Sequence, residues 1–129
     1  MMRLTRRAYA ALRAHCRSSR EEVCGFCLGS AQGVSAVRRA TNAAPSQLRA
    51  SLCVVAPEDL LWFAREQMKG RVLAFYHSHP NIPAEPSAID LRGLPFRDIA
   101  YLIYSCSEDS LRAWRWIREQ MREEKVTVA

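Results

Sequence analysis

Two of the chain's three histidines stand two residues apart, in His77-Ser78-His79-Pro80. They close an apolar run, Val72 to Tyr76, that reads as a buried strand. Residues i and i+2 of a strand share a face, so both imidazoles can converge on one metal ion at ~2.0–2.1 Å each. Pro80 ends the strand and leaves the two rings at its exit. Asp90 follows eleven residues after His79, beyond a segment whose three prolines (Pro80, Pro83, Pro86) require a loop. Ser87 can cap a short helix running to about Leu94. Asp90 then sits in its first turn, where the helix N-terminus favours the ionised carboxylate. Two histidines and one carboxylate leave a fourth position for water, the layout of a catalytic rather than a structural zinc site. Each part has a plainer reading: an incidental His-x-His pair, and a capping-box variant in Ser87-x-x-Asp90. The joint pattern is what points to a metal.

The other reactive residues are five cysteines, Cys16, Cys24, Cys27, Cys53 and Cys106. The odd count and the lack of a secretion signal fit free thiols in a reducing cytoplasm. Cys24 and Cys27 form a C-x-x-C, but no second cysteine pair exists to complete a structural zinc site. Within Cys24-Gly25-Phe26-Cys27-Leu28 they read as small apolar residues of a buried strand. A cysteine hydrolase using Cys24 or Cys106 with a histidine is a competing chemistry.

These residues need elements to hold them. Thr5 can cap a first helix with Leu4, Ala8, Ala11, Leu12 and His15 at helical spacing. Val23 to Leu28 reads as a buried strand that returns, through a turn at Gln32-Gly33, as a strand over Val34 to Arg39. Residues 42–47 form a loop, and Arg49 to Val55 is strand-like. Pro57-Glu58-Asp59 opens a helix with Leu60, Leu61, Phe63, Ala64 and Met68 on its apolar stripe, ending at Lys69-Gly70. Ile99 to Tyr104 is another buried strand. Leu111 to Ile117 reads as a strand, or as part of a helix capped by Ser110, and Lys125 to Val128 as a last strand. The order predicts an α/β (α+β) arrangement, a mixed sheet with helices against it.

The joint pattern resembles the JAMM (MPN-plus) metalloprotease family. That family's signature is a His-x-His, seven residues, then Ser-x-x-Asp. Here His77-Ser78-His79 is followed by Pro80 to Pro86 and then Ser87-Ala88-Ile89-Asp90. The family's upstream Glu-x-Cys-Gly strand stands as Glu22-Val23-Cys24-Gly25. The resemblance covers nearly the whole chain and implies one domain over residues 1–129. It implies a curved mixed sheet flanked by helices, of cytidine-deaminase-like fold, with the metal at a sheet edge. It also favours a C-terminal hairpin, Leu111 to Trp116 pairing with Lys125 to Val128, with Trp114 and Trp116 packed on one face. His77, His79 and Asp90 would bind zinc. Glu22 would be the general base, and Ser87 would stabilise the oxyanion. Taken alone, Glu22 reads as an exposed acid at a strand start.

The family hydrolyses amide bonds after the C-terminal glycine of ubiquitin or ubiquitin-like proteins. With eight residues between Asp90 and Ile99, this chain has little room for ubiquitin-gripping insertions and resembles the compact prokaryotic branch. That implies a small ubiquitin-like sulfur-carrier protein as the partner, or a substrate in a bacterial ubiquitin-like or antiviral system. The metal-free members of the family, which are interaction modules, are the alternative of a different class. The substrate tail could add as a strand to a sheet edge.

Composition agrees with a globular chain. Of 129 residues 49% are hydrophobic and 25% charged, which argues against disorder. No apolar run approaches the ~20 residues of a membrane helix. The N-terminal segment lacks the features of a secretory signal, so a cytoplasmic location is expected. The net charge of +6 would steer an acidic carrier toward the protein. The arginines are dispersed and no basic stripe or recognition helix stands out, so neither nucleic acid nor a membrane is expected as partner. The oligomeric state is left open.

Overall fold

The computed structural model describes residues 1–129. β1 (Met2–Leu4) leads into α1 (Arg6–Arg17), β2 (Cys24–Ser30) and β3 (Gly33–Ala40). A 3₁₀ turn (Ser46–Leu48) and α2 (Pro57–Gln67) precede the central strand β4 (Val72–His79). α3 (Ala88–Arg92), β5 (Ala100–Ser105), β6 (Ser110–Ile117), β7 (Gln120–Glu124) and β8 (Val126–Val128) complete the chain. All eight strands form one mixed sheet in the order β7-β6-β5-β4-β2-β3-β1-β8. Only Lys125 separates β7 from β8, yet they occupy opposite ends of that order. The sheet must therefore curl until its ends meet, and the Met2 amide donates to the Lys125 carbonyl at 2.7 Å.

β4 runs antiparallel to β2 and parallel to β5. Its two faces are both covered, which explains its continuous apolar run. Ala74 and Tyr76 join Ala8, Leu12 and Cys16 of α1 in the larger core cluster. Val72 and Phe75 face the other way, into a cluster with Cys24, Phe26, Phe96, Ile99 and Tyr101. By the same alternation His77 and His79 lie on the Phe75 face. Gly25 lets β2 and β4 approach: a Cβ there would lie 2.5 Å from both the Arg38 carbonyl oxygen and the Tyr76 ring.

The helices start where their caps predict. The Thr5 side chain accepts from the Ala8 amide at 3.1 Å. Leu4, however, belongs to β1 rather than to the helical stripe, and Ala11 is exposed. In α2 the expected stripe is only partly buried: Phe63 packs inward as expected, but Leu60, Leu61, Ala64 and Met68 do not. Asp59 accepts from Arg38 Nη1 at 3.0 Å and from the Thr41 amide at 2.8 Å, which fixes the helix rotation. Trp62 and Phe63 then pack against the core, while Leu60, Leu61 and Met68 are exposed. Phe63 lies 4.4 Å from Phe96 between ring centres, and Arg38 covers Trp62 at 4.1 Å.

Two further expectations are corrected. Arg49 to Val55 forms no strand; the single bridge is Asn42 to Val55. One side chain replaces the ladder, since Asn42 donates to the Glu22 and Leu52 carbonyls and accepts from the Ala44 and Val54 amides. The C-terminal hairpin is made by β6 and β7, not by β6 and the last strand. Arg118 and Glu119 both take positive φ, 50° and 66°, so a two-residue turn pairs Ile117 with Gln120. β8 instead pairs parallel with β1, Met2 opposite Val126.

Two stability predictions follow from the core. Gly25→Ala forces backbone apart between β2 and β3 and should cost about 1–3 kcal/mol, read as a lower urea midpoint. His15 is buried with Nδ1 2.6 Å from the Tyr76 hydroxyl, and burial, aided by Arg39, lowers its pKa to about 4. Between the ordinary value of ~6.5 and that lowered one, the unfolded chain binds a proton that the folded chain refuses. Stability should therefore fall as pH drops through that window. His15→Gln should flatten this part of the profile, measured as urea midpoints at pH 7 and near pH 4.5.

Candidate metal centre

The site is built at the C-terminal end of β4, in the middle of the sheet order rather than at an edge strand. His77 is 4% exposed and His79 fully buried. Their Nε2 atoms lie 3.1 Å apart. Asp90 Oδ2 lies 3.2 Å from the first and 3.0 Å from the second. At ~2.0–2.1 Å from a common centre, tetrahedral ligands stand about 3.3 Å from each other, so these three atoms fit around one ion. The arrangement joins His77, His79 and Asp90 as a group that could hold a metal ion.

The hydrogen bonding argues for a cation between them. His79 Nδ1 lies 2.7 Å from the Pro83 carbonyl oxygen, which can only accept. That bond places the proton on Nδ1 and leaves Nε2 of the neutral ring as a lone pair. The lone pair faces a carboxylate oxygen and a second imidazole nitrogen. A divalent ion satisfies all three at once. Without it, one shared proton has to serve three acceptors. Burial opposes the ionised form of Asp90; with no ion between the rings, protonated imidazoles at His77 and His79 outweigh it and hold the carboxyl well below the usual carboxylate range, so the site demands positive charge at this point in either state.

The proline loop is fixed from both sides. The Trp114 indole N–H donates to the Ala84 carbonyl at 2.9 Å, and Arg112 Nη1 pairs with Glu85 at 3.1 Å. Trp114 thus packs against the core and also positions the loop. Trp116 lies under Arg97 at 5.1 Å. The loop delivers Ser87 as a true N-cap, in a reciprocal capping box. Ser87 Oγ accepts from the Asp90 amide at 3.1 Å, and the Ser87 amide donates to Asp90 Oδ2 at 2.9 Å. One lone pair of Oδ2 is used in the cap and the other points to the histidines.

Glu22 is 4% exposed, contrary to the reading of its position alone. The Ser78 side chain accepts from the Val23 amide at 2.9 Å, and the Ser78 amide donates to the Val23 carbonyl at 3.0 Å. These bonds tie the entry of β2 to the exit of β4 and set Glu22 beside His79. The Glu22 amide donates to the Arg49 carbonyl, and its own carbonyl accepts from Asn42. Its backbone is satisfied, yet Oε1 is buried with no partner. Burial pushes its carboxyl up to about 7, with His77 and His79 pulling it down and Asp90 pushing it up. An unpaired buried carboxyl costs stability, and such costs concentrate where chemistry is done. His77 Nδ1 is likewise unpartnered.

The narrow cleft beside His77 and Asp90 has a volume of only about 50 Å³ and is walled by Leu52, Cys53, Ile89 and Tyr101. Cys53 is the one thiol in this wall. Sequence reasoning did not single out Cys53, Leu52 or the supporting Asn42, because their roles arise from a loop held by side chains rather than by strand pairing. Cys24 is buried on β2 with its thiol toward the Thr41 carbonyl. Cys106 turns its thiol to the Cys16 carbonyl. Cys24 stands opposite His77 in the β2–β4 register, but neither thiol hydrogen-bonds a histidine as an activated nucleophile would.

A family profile described as prokaryotic homologs of the JAB domain matches residues 5–117. A solution structure of a protein from Desulfitobacterium hafniense is similar over all of this chain and 93% of its own, at TM-score 0.82 and 25% identity. One from Salinibacter ruber is similar over 99% of this chain and 92% of its own, at TM-score 0.70 and 31% identity. The crystal structure of a JAB1/MPN domain protein from Archaeoglobus fulgidus shares the fold over 98% of both chains, at TM-score 0.61 and 18% identity. A search of curated proteins gave no match.

Asp90→Ala removes a ligand and half of the capping box together. It should lower zinc affinity by at least ~100-fold, beyond the usual cost of losing an outer partner, as measured by competition with a chromogenic chelator. Equal metal retention by this variant and the wild type would contradict the ligand set.

Proposed function

This chain belongs to the prokaryotic JAB-domain family, and on that premise we propose that it is a zinc-dependent peptidase. Its reaction is hydrolysis of an amide bond after the C-terminal glycine of a ubiquitin-like protein, with a small sulfur carrier as the substrate class. The observation that carries this reading is a buried carboxyl oxygen without a partner, Glu22 Oε1, beside three lone-pair donors within 3.2 Å of one another. A structural metal site closes all positions and has no use for such a group.

Two imidazoles and a carboxylate with a fourth position left for water match the ligand set of a catalytic zinc site. When bound, zinc lowers the pKa of water to ~7 and polarises a carbonyl oxygen. His77, His79 and Asp90 hold it, while the Pro83 carbonyl and the Ser87 amide orient His79 and Asp90. Glu22 takes a proton from the attacking water on its free carboxylate oxygen. It returns that proton to the leaving nitrogen as the C–N bond breaks, so the products are a carboxylate and an amine. Burial favours the protonated form of this carboxyl, the direction that lets it hold a proton between the two halves of the transfer. Ser87 Oγ accepts the Asp90 amide and keeps its own O–H free to donate to the developing oxyanion.

The narrow cleft supports a glycine at the acyl side, since about 50 Å³ between Leu52, Cys53 and Ile89 leaves no space for a larger side chain. The surface charge of +6 supports an acidic carrier. No helix is long and apolar enough to cross a membrane.

Glu22→Gln should retain one zinc per chain and lose ~10²–10⁴-fold in kcat. The readouts are metal analysis of the purified protein and mass change at the C-termini of ubiquitin-like carriers encoded beside it. A chelator should abolish hydrolysis and thiol alkylation should not. Protein that takes up no stoichiometric zinc would instead be a non-catalytic interaction module.

A further inference from the structure

The polarity of α2 is inverted. A helix laid on a sheet ordinarily buries its apolar stripe and gives its charges to solvent. Here two carboxylates face inward. Asp59 is buried against Arg38 and the Thr41 amide. The Glu66 side chain is 14% exposed and holds Lys69 at 3.1 Å and Arg71 at 3.4 Å. At about 100° per residue, Leu60, Leu61, Ala64 and Met68 centre on the side of the helix opposite these two acids. All four are exposed, Leu61 by 54% and Met68 by 90%. The helix cannot turn to hide them without breaking the bonds that Asp59 makes to Arg38 and Thr41. Single surface leucines need no explanation, but a continuous apolar stripe on a helix that has buried its acids marks a contact face.

The charges beside the stripe say what that contact is. Glu58 and Arg65 flank it on one side, about two turns apart, the acid in the first turn and the base in the last. Neither forms an ion pair within the chain, whereas Glu66 holds both Lys69 and Arg71. A partner of one charge sign would satisfy one of the two and repel the other. A second α2 satisfies both. In a two-fold contact residue i meets j and j meets i, so two antiparallel copies set Glu58 against the partner's Arg65 and Arg65 against the partner's Glu58. The same register brings Leu61 against the partner's Leu61 and Leu60 against the partner's Ala64. The dipoles of the two helices then oppose each other.

We propose that α2 is a self-association face, on which two copies of this chain pair antiparallel with Leu61 at the two-fold axis and a Glu58–Arg65 bridge on either side of it. The contact is one helix of eleven residues wide, less than the ~1,200 Å² of a standard interface, so the dimer is weak and concentration-dependent. The inference goes beyond the peptidase reading and does not depend on it, since His77, His79, Asp90 and Glu22 take no part in the contact.

Sedimentation equilibrium of the full chain tests it. Between about 10 µM and about 1 mM protein, the mass should rise from 14.7 kDa toward twice that value. Leu61→Lys should hold the mass at the monomer value, with an unchanged urea midpoint in dilute solution. Glu58→Arg and Arg65→Glu set like charges against each other, and each alone should weaken dimerisation about fivefold. Combined in one chain they restore opposite charges and should bring the affinity back to within about twofold of the wild type. A monomer throughout that range, a dimer that survives Leu61→Lys, or a double variant no tighter than the single ones would overturn the inference. In the first case, loss of binding to a ubiquitin-like carrier on Leu61→Lys would assign the stripe to that partner instead.

Discussion

Three lone pairs aimed at one point are unstable without a positive charge between them. That conflict, with two imidazole nitrogens and a carboxylate oxygen at 3.0–3.2 Å, is the centre from which the surrounding architecture makes sense. Two of the three donors are denied an alternative. His79 has spent its proton on the Pro83 carbonyl, and Asp90 has spent one lone pair on its own helix cap. Both histidines are buried and Asp90 is only partly exposed, which limits how far water can screen them. A site of this kind binds a small hard-to-borderline cation tightly because the scaffold has already met the cost of bringing the donors together.

The scaffold can hold that arrangement because the histidines end the most protected strand. β4 has strands on both sides and helices over both faces, so its exit has little freedom to relax. The proline loop removes conformational freedom from the link to Asp90, and Trp114 and Arg112 of β6 tie the loop down at its middle. Ser78, between the two ligands, faces away from them and clamps β2 through the Val23 backbone. Alternation along a single strand thus assigns metal binding to one face and placement of the Glu22 backbone to the other.

Much of this was legible because it depends on local spacing. Period-two alternation placed His77 and His79 on one face, and the N-cap preference of Ser87 placed Asp90 in the first turn of α3. Both are properties of a few adjacent residues. The misses share an opposite cause. The rotation of α2 is set by Asp59 accepting from Arg38 of β3 and from the Thr41 amide just beyond it, 18 residues away in the chain, so Leu60, Leu61 and Met68 of the stripe misled. The loop over residues 49–55 is held by Asn42, and a strand reading had no means to weigh one side chain against a ladder. The turn at Arg118-Glu119 lacks the Asn-Gly or Asp-Gly signal of a two-residue hairpin. The destination of β8 depends on the closure of the whole sheet. Glu22 was recognised only through the upstream motif, since an acid at a strand start looks solvated until the tertiary fold buries it.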